Sequence, residues 1–153
     1  MSPFSDLEYV IIVPEIAQQE LVLGSFGYAL WQLGQYREAH EALTRALNIR
    51  RRCLVPRNLE LALTTNLLGL VALSEENHQE AYALFKEAFS INKQASITIP
   101  VASMIINLVN LGASCSWIAR TQNKPEFYKE GRVYFTKALE MARRSYQVDN
   151  VNS

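Results

Sequence analysis

The quartet Ala39, Leu43, Ala46 and Ile49 returns as Ala81, Phe85, Ala88 and Ile91, and a third time as Gly131, Phe135, Ala138 and Met141. Each copy reads small, large, small, large at the spacing that puts four residues on one face of a helix. Upstream of each stands a glycine inside an apolar stretch, at Gly27, Gly69 and Gly112. The first two copies are 42 residues apart at every matched position. Small residues recurring at a fixed period mark a stacked array of helical hairpins, because each hairpin buries its apolar side only against its neighbours. Such a chain is all-α, and its usual work is binding.

The 153 residues suffice for one core. Lys plus Arg and Asp plus Glu are 15 each, so net charge favours neither nucleic acid nor an anionic membrane as partner. Cys53 and Cys115 have no metal-ligand spacing and are too few for a disulfide scaffold, which fits a reducing, cytoplasmic compartment. No charged residue lies between Lys93 and Arg120, a stretch long enough to cross a bilayer. Gln94, Asn107, Asn110 and Pro100 interrupt it, and it stands in register with the other first helices. It reads as a buried array helix, not a membrane span.

Prolines and turn residues set the boundaries. Pro14, Pro56 and Pro100 each precede an apolar stretch, as suits a helix start. The hairpins span about 14–55, 56–99 and 100–147, after an N-terminal segment 1–13 and before a polar tail 148–153. Gly34 should stop the first helix in the left-handed conformation. Helices are expected over Pro14–Leu33, Gln35–Arg51, Arg57–Ser74, His78–Gln94, Val101–Arg120 and Pro125–Gln147. In the third hairpin seven extra residues fall near Ile118–Lys124, either lengthening the helix or enlarging the turn. Shifted forward by 42, residues 1–13 resemble the tail of a preceding second helix, and no polar capping helix follows Tyr146. Both ends should therefore expose apolar surface, which favours self-association.

The pattern resembles the tetratricopeptide repeat family, with a spacing similar to the kinesin-light-chain type. The first-helix signature reads Leu23, Phe26-Gly27, Leu30, then Thr65, Leu68-Gly69, Ala72, then Leu108, Leu111-Gly112, Cys115. The position opening each second helix holds Tyr36, His78 and Tyr128, and Arg45-Ala46-Leu47-Asn48-Ile49-Arg50 is similar to the long-spaced subgroup. The resemblance implies a right-handed superhelix whose first helices line a concave face. By register, that face takes Leu21, Gly24, Tyr28, Trp31 and Gln32 from the first hairpin. It takes Leu63, Asn66, Leu70, Leu73 and Ser74 from the second, and Ile106, Val109, Asn110, Ala113, Ser116 and Trp117 from the third.

That face is apolar, with two tryptophans and hardly any charge. Family members that grip a C-terminal carboxylate do so with Lys, Asn and Arg, whereas here Gly24, Tyr28 and Leu67 stand near those places. An apolar groove suits a hydrophobic peptide or amphipathic helix, with Asn66 and Asn110 available to its backbone. It equally suits covering by the protein's own residues 4–13 or by further repeats. Two other readings are an oligomerisation or regulatory segment of a larger signalling protein, and an RNA-binding helical repeat. The last would use Arg45, Arg50, Arg51, Arg52 and Arg57, which are better placed to stabilise a helix C-terminus. His40 and His78 lack metal spacing, and no phosphate loop or nucleophile elbow occurs, so no catalytic residue, metal or cofactor is expected.

Overall fold

In the computed structural model of the chain, residues 19, 22–52, 59–94 and 100–151 are described. They form helices α1 (residues 22–32), α2 (Tyr36–Arg52), α3 (Leu59–Ser74), α4 (His78–Gln94), α5 (Val101–Thr121) and α6 (Glu126–Val151). The segment 1–13, Pro14, Leu21, Cys53, Pro56 and Arg57 lie outside the described residues. Two compact units are present, Met1–Pro56 and Arg57–Ser153. The first holds the α1–α2 hairpin. In the second, α3 packs on α4, α4 on α5 and α5 on α6.

All three hairpins are closed in the same way. The glycine of the first helix leaves a gap that a large residue of the second helix fills. A Cβ on Gly27 would lie 2.5 Å from Leu43 Cγ, one on Gly69 would lie 2.6 Å from Phe85 Cε1, and one on Gly112 would lie 2.8 Å from three Phe135 ring carbons. The small residues answer from the other side. Ala39, Ala46, Ala81 and Ala88 are wholly buried, and a Cβ on Gly131 would meet Cys115 Cβ at 3.0 Å and the Gly112 carbonyl oxygen at 3.1 Å. Backbones this close gain dispersion contacts that larger residues would block.

The turns repeat too. Gln35 N–H donates to the Leu30 carbonyl at 2.9 Å, Asn77 N–H to Ala72 at 2.8 Å and Lys124 N–H to Ala119 at 3.1 Å. Each is a six-to-one bond closing a helix through one left-handed residue. That residue is Gly34 (φ 77), Glu76 (φ 61) and Asn123 (φ 52). Glutamate is the poorest fit, because its Cβ crowds the following carbonyl. Glu76→Gly should therefore raise stability by roughly 0.5–1 kcal/mol in urea titrations, and Asn123→Gly by less.

One boundary differs from the sequence expectation, and one alternative left open there is resolved. Residues 148–151 of the polar tail are helical: α6 continues to Val151, with Asn150 Nδ2 donating to the Tyr146 carbonyl at 3.1 Å. The seven extra residues of the third hairpin are divided between helix and turn. Four extend α5 beyond Gly112, one enlarges the turn and two precede Tyr128 in α6.

Helix α5 is long and apolar enough to cross a membrane. Here it is the inner helix of its unit, with Leu108, Leu111, Cys115 and Ile118 buried and both α4 and α6 packed on it.

A polar cluster joins α4 and α6. The Tyr82 hydroxyl donates to Glu130 Oε1, as does the Tyr134 hydroxyl at 3.1 Å. Burial first, and then the hydrogen bond to Glu130, raises the Tyr82 hydroxyl far above the ordinary range. Burial and the Glu130 charge push Tyr134 up to about 12, and the same two causes push the Cys115 thiol up to about 12. All three keep their protons at neutral pH, and Cys115 serves in packing. Tyr134→Phe removes one donor while Tyr82 still holds the carboxylate. The expected loss is about 1 kcal/mol of unfolding free energy, read from the urea midpoint at unchanged slope.

Candidate binding surface

Exposed apolar side chains gather on the sides of α3 and α5 left free by packing. On α5, Ile106, Val109 and Trp117 fall on one stripe at three- and eight-residue steps, and all are exposed. On α3, Leu63 is exposed, while Asn66, Leu70, Leu73 and Ser74 are half-buried. The two helices are tied by Asn107, whose amide donates to Asn66 Oδ1 and to the Phe85 carbonyl, each at 3.1 Å. Ala113 and Ser116 are half-buried beside the α5 stripe.

Trp117 is the largest element of this surface, at 41% exposure. Its indole stacks on the His78 ring with centroids 4.7 Å apart and planes 6° from parallel. The Arg120 guanidinium lies 4.1 Å from its centroid. A cleft of about 600 Å³ opens beside it, bounded by Leu73, Ser74, Asn77, His78 and Gln122 among others. Gln79 Nε2 donates to Gln122 Oε1 at 2.7 Å, bridging the turns of the second and third hairpins at its edge. The indole is held in place before anything binds, so little side-chain entropy remains to be lost there.

His78 and Arg120 were not among the residues placed on this face from sequence. Arg120 sits three residues after Trp117, one turn along the same stripe, and that spacing is the signal that could have found it. It brings a cation to a face that otherwise has little charge. His78 opens α4 and could be matched to Trp117 only through the packing of α4 on α5.

The asparagines are arranged differently from the expectation that they would face a peptide backbone. Asn66 spends its carbonyl oxygen on Asn107, and the Asn110 amide nitrogen is covered without a partner. Buried polar atoms at such seams commonly serve helix register or hold water.

The first unit carries its own aromatic patch. Tyr28 and Trp31 have ring centroids 6.0 Å apart at 48°, and Gln32 Nε2 donates to the Tyr28 hydroxyl at 2.9 Å. Tyr28 and Gln32 are exposed, while Trp31 and Gly24 are half-buried. On α2, Arg45, Arg51 and Arg52 are exposed, but Arg50 is buried, which shrinks the basic cluster read from sequence. Among the described residues, no group of three or more His, Cys, Asp or Glu could hold a metal ion.

The tetratricopeptide repeat family model matches residues 18–94, which span the first two hairpins. The chain belongs to the tetratricopeptide repeat family. No curated protein matches it. The third hairpin lies beyond the matched span but has the same glycine-to-ring closure and the same turn bond, so the tetratricopeptide construction extends to α6. Tetratricopeptide repeats generally mediate protein–protein interaction and are a generally non-catalytic fold.

Proposed function

We propose that this tetratricopeptide protein binds an apolar peptide or amphipathic helix of a protein partner on the α3–α5 surface, with Trp117 as its anchor. The observation that carries the reading is the indole itself. It is exposed, pre-stacked on His78, and set beside an open cleft. Buried anchors at protein interfaces are enriched in Trp, Tyr and Arg, and Trp117 with Arg120 supplies two of these. Leu63, Leu70, Leu73 and Ile106 would line the partner's apolar face, and Arg120 favours an acidic residue near its end. Tyr28, Trp31 and Gln32 form a second patch of the same chemistry in the first unit. No bond is made or broken, so no catalytic residue or cofactor enters. The buried free thiol of Cys115 fits a cytoplasmic setting.

The alternative is that the same surface holds another part of a larger signalling protein, making this a regulatory or oligomerisation segment. Intrinsic fluorescence tests the binding reading, using a panel of amphipathic helical peptides and a Trp31→Phe background so that Trp117 alone reports. Binding at this surface should shift Trp117 emission to the blue, with an affinity that changes little with salt. A salt-steep affinity for RNA with no Trp117 response would move the interaction to a basic surface and sink the reading.

A further inference from the structure

Helix α6 carries a second apolar surface, and its spacing is self-complementary. Tyr128, Phe135, Leu139 and Tyr146 are separated by seven, four and seven residues, so at 100° per residue all four lie within a narrow stripe. They are 51%, 40%, 52% and 72% exposed. Phe135 fills the Gly112 gap with its ring and is still partly open to solvent. The order of the spacings is the same read from either end. A twofold axis level with residue 137 therefore brings Tyr128 opposite the second copy's Tyr146, and Phe135 opposite its Leu139.

We infer that two copies of this chain pair antiparallel through α6 in that register. Three observations favour a second copy over any other occupant. The stripe is palindromic, which an interface with an unrelated helix does not require. Beside Tyr128 there is a depression of about 290 Å³ bounded by Ser116, Trp117 and Arg120. Tyr146, the most exposed of the four, is the residue that reversal of the helix carries toward it. The exposed parts of the four side chains amount to roughly 400 Å². That is about half of the ~800 Å² that each partner contributes to a standard interface. The stems of Arg132 and Arg143 and the rim of the depression supply further area. In this register Arg132 borders the second copy's Arg143 on either side of the axis, and Glu140, three residues before Arg143 on the same helix, is placed to offset that like charge.

This pairing does not rest on the groove reading; Trp117 and Arg120 border both surfaces, so the two are separated by variants on α6 and on α3. Sedimentation equilibrium of the full chain at micromolar concentrations should give twice the 17.4 kDa chain mass. Tyr146→Arg and Leu139→Arg should each weaken dimerisation by about tenfold or more with helicity unchanged. Tyr146 is exposed enough that its replacement leaves the fold intact even if the Leu139 variant does not. Tyr128→Glu alone should also weaken the dimer. Tyr128→Glu combined with Tyr146→Arg should restore it, because opposite charges then face each other across the axis. The two sites are about 27 Å apart along one helix, so rescue arises only between copies. A wild-type chain that stays at monomer mass would overturn the inference. So would a dimer indifferent to Tyr146→Arg, or a double variant weaker than either single one. Loss of peptide response in Leu63→Arg, an exposed α3 position that does not border the depression, with the dimer intact would touch only the groove.

Discussion

Gly69→Ala is expected to destabilise the protein by about 1–2 kcal/mol, even though alanine is the better helix former. In a helix interior the change ordinarily gains close to 1 kcal/mol. Here the new Cβ would stand 2.6 Å and 2.8 Å from two ring carbons of Phe85. Phe85 is fully buried, so its ring has nowhere to move, and overpacking of this kind costs typically 1–3 kcal/mol, outweighing propensity. Gly24→Ala supplies the control, since nothing lies within 4 Å of a Cβ there. It should gain a few tenths of a kcal/mol to about 1 kcal/mol. Gly112→Ala falls between the two. Its Cβ meets Phe135 at 2.8 Å, but that ring is partly exposed and free to swing outward. Urea unfolding of the three variants measures the series. If Gly69→Ala proved as stabilising as Gly24→Ala, the close approach of α3 and α4 would be wrong.

Trp117→Ala should cost about 2 kcal/mol or more of binding to a groove-directed partner, near thirtyfold in Kd, with little change in fold stability. The asymmetry follows from where the ring sits. It is 41% exposed, and its main protein contacts are the His78 ring and the Arg120 guanidinium. Removing it leaves buried packing intact but takes away the anchor and the surface that orders Arg120. Arg51→Ala, on the exposed side of α2, should leave affinity unchanged. Calorimetric titration gives the affinities, and circular dichroism checks the fold. Equal losses in the two variants would exclude Trp117 as a specific anchor. Unfolding by Trp117→Ala would make the indole part of the core.

Much of this protein could be read from local spacing. The recurrence of glycine, then small–large–small, specified which residues meet inside each hairpin, because that contact joins helices adjacent in sequence and repeats three times. The left-handed stop at Gly34 was equally legible, since glycine adopts positive φ at no steric cost. Its counterparts Glu76 and Asn123 were not, because their side chains give no such signal and the conformation is imposed by the helices they join. The polar run after Tyr146 looked like a tail. Yet no glycine or proline follows Gly131 before α6 ends, and polarity alone does not stop a helix.

The candidate surface divides along the same line. Trp117, Ile106 and Leu63 were placed on it by register, because an intrahelical face is a property of one helix. The partners that shape it were decided by tertiary structure alone. His78 under Trp117, Asn107 on Asn66, and Tyr82 with Tyr134 on Glu130 join residues of different helices. Their polar atoms could have been solvated or paired in several other ways at the same local energy. By itself, the sequence determined an all-helical hairpin repeat and which residues close each hairpin, since small-residue packing follows from periodicity within neighbouring helices. Which polar and aromatic groups are buried, which are shared and which are left open to a partner depended on the stacking of one hairpin on the next, where desolvation decides each pairing.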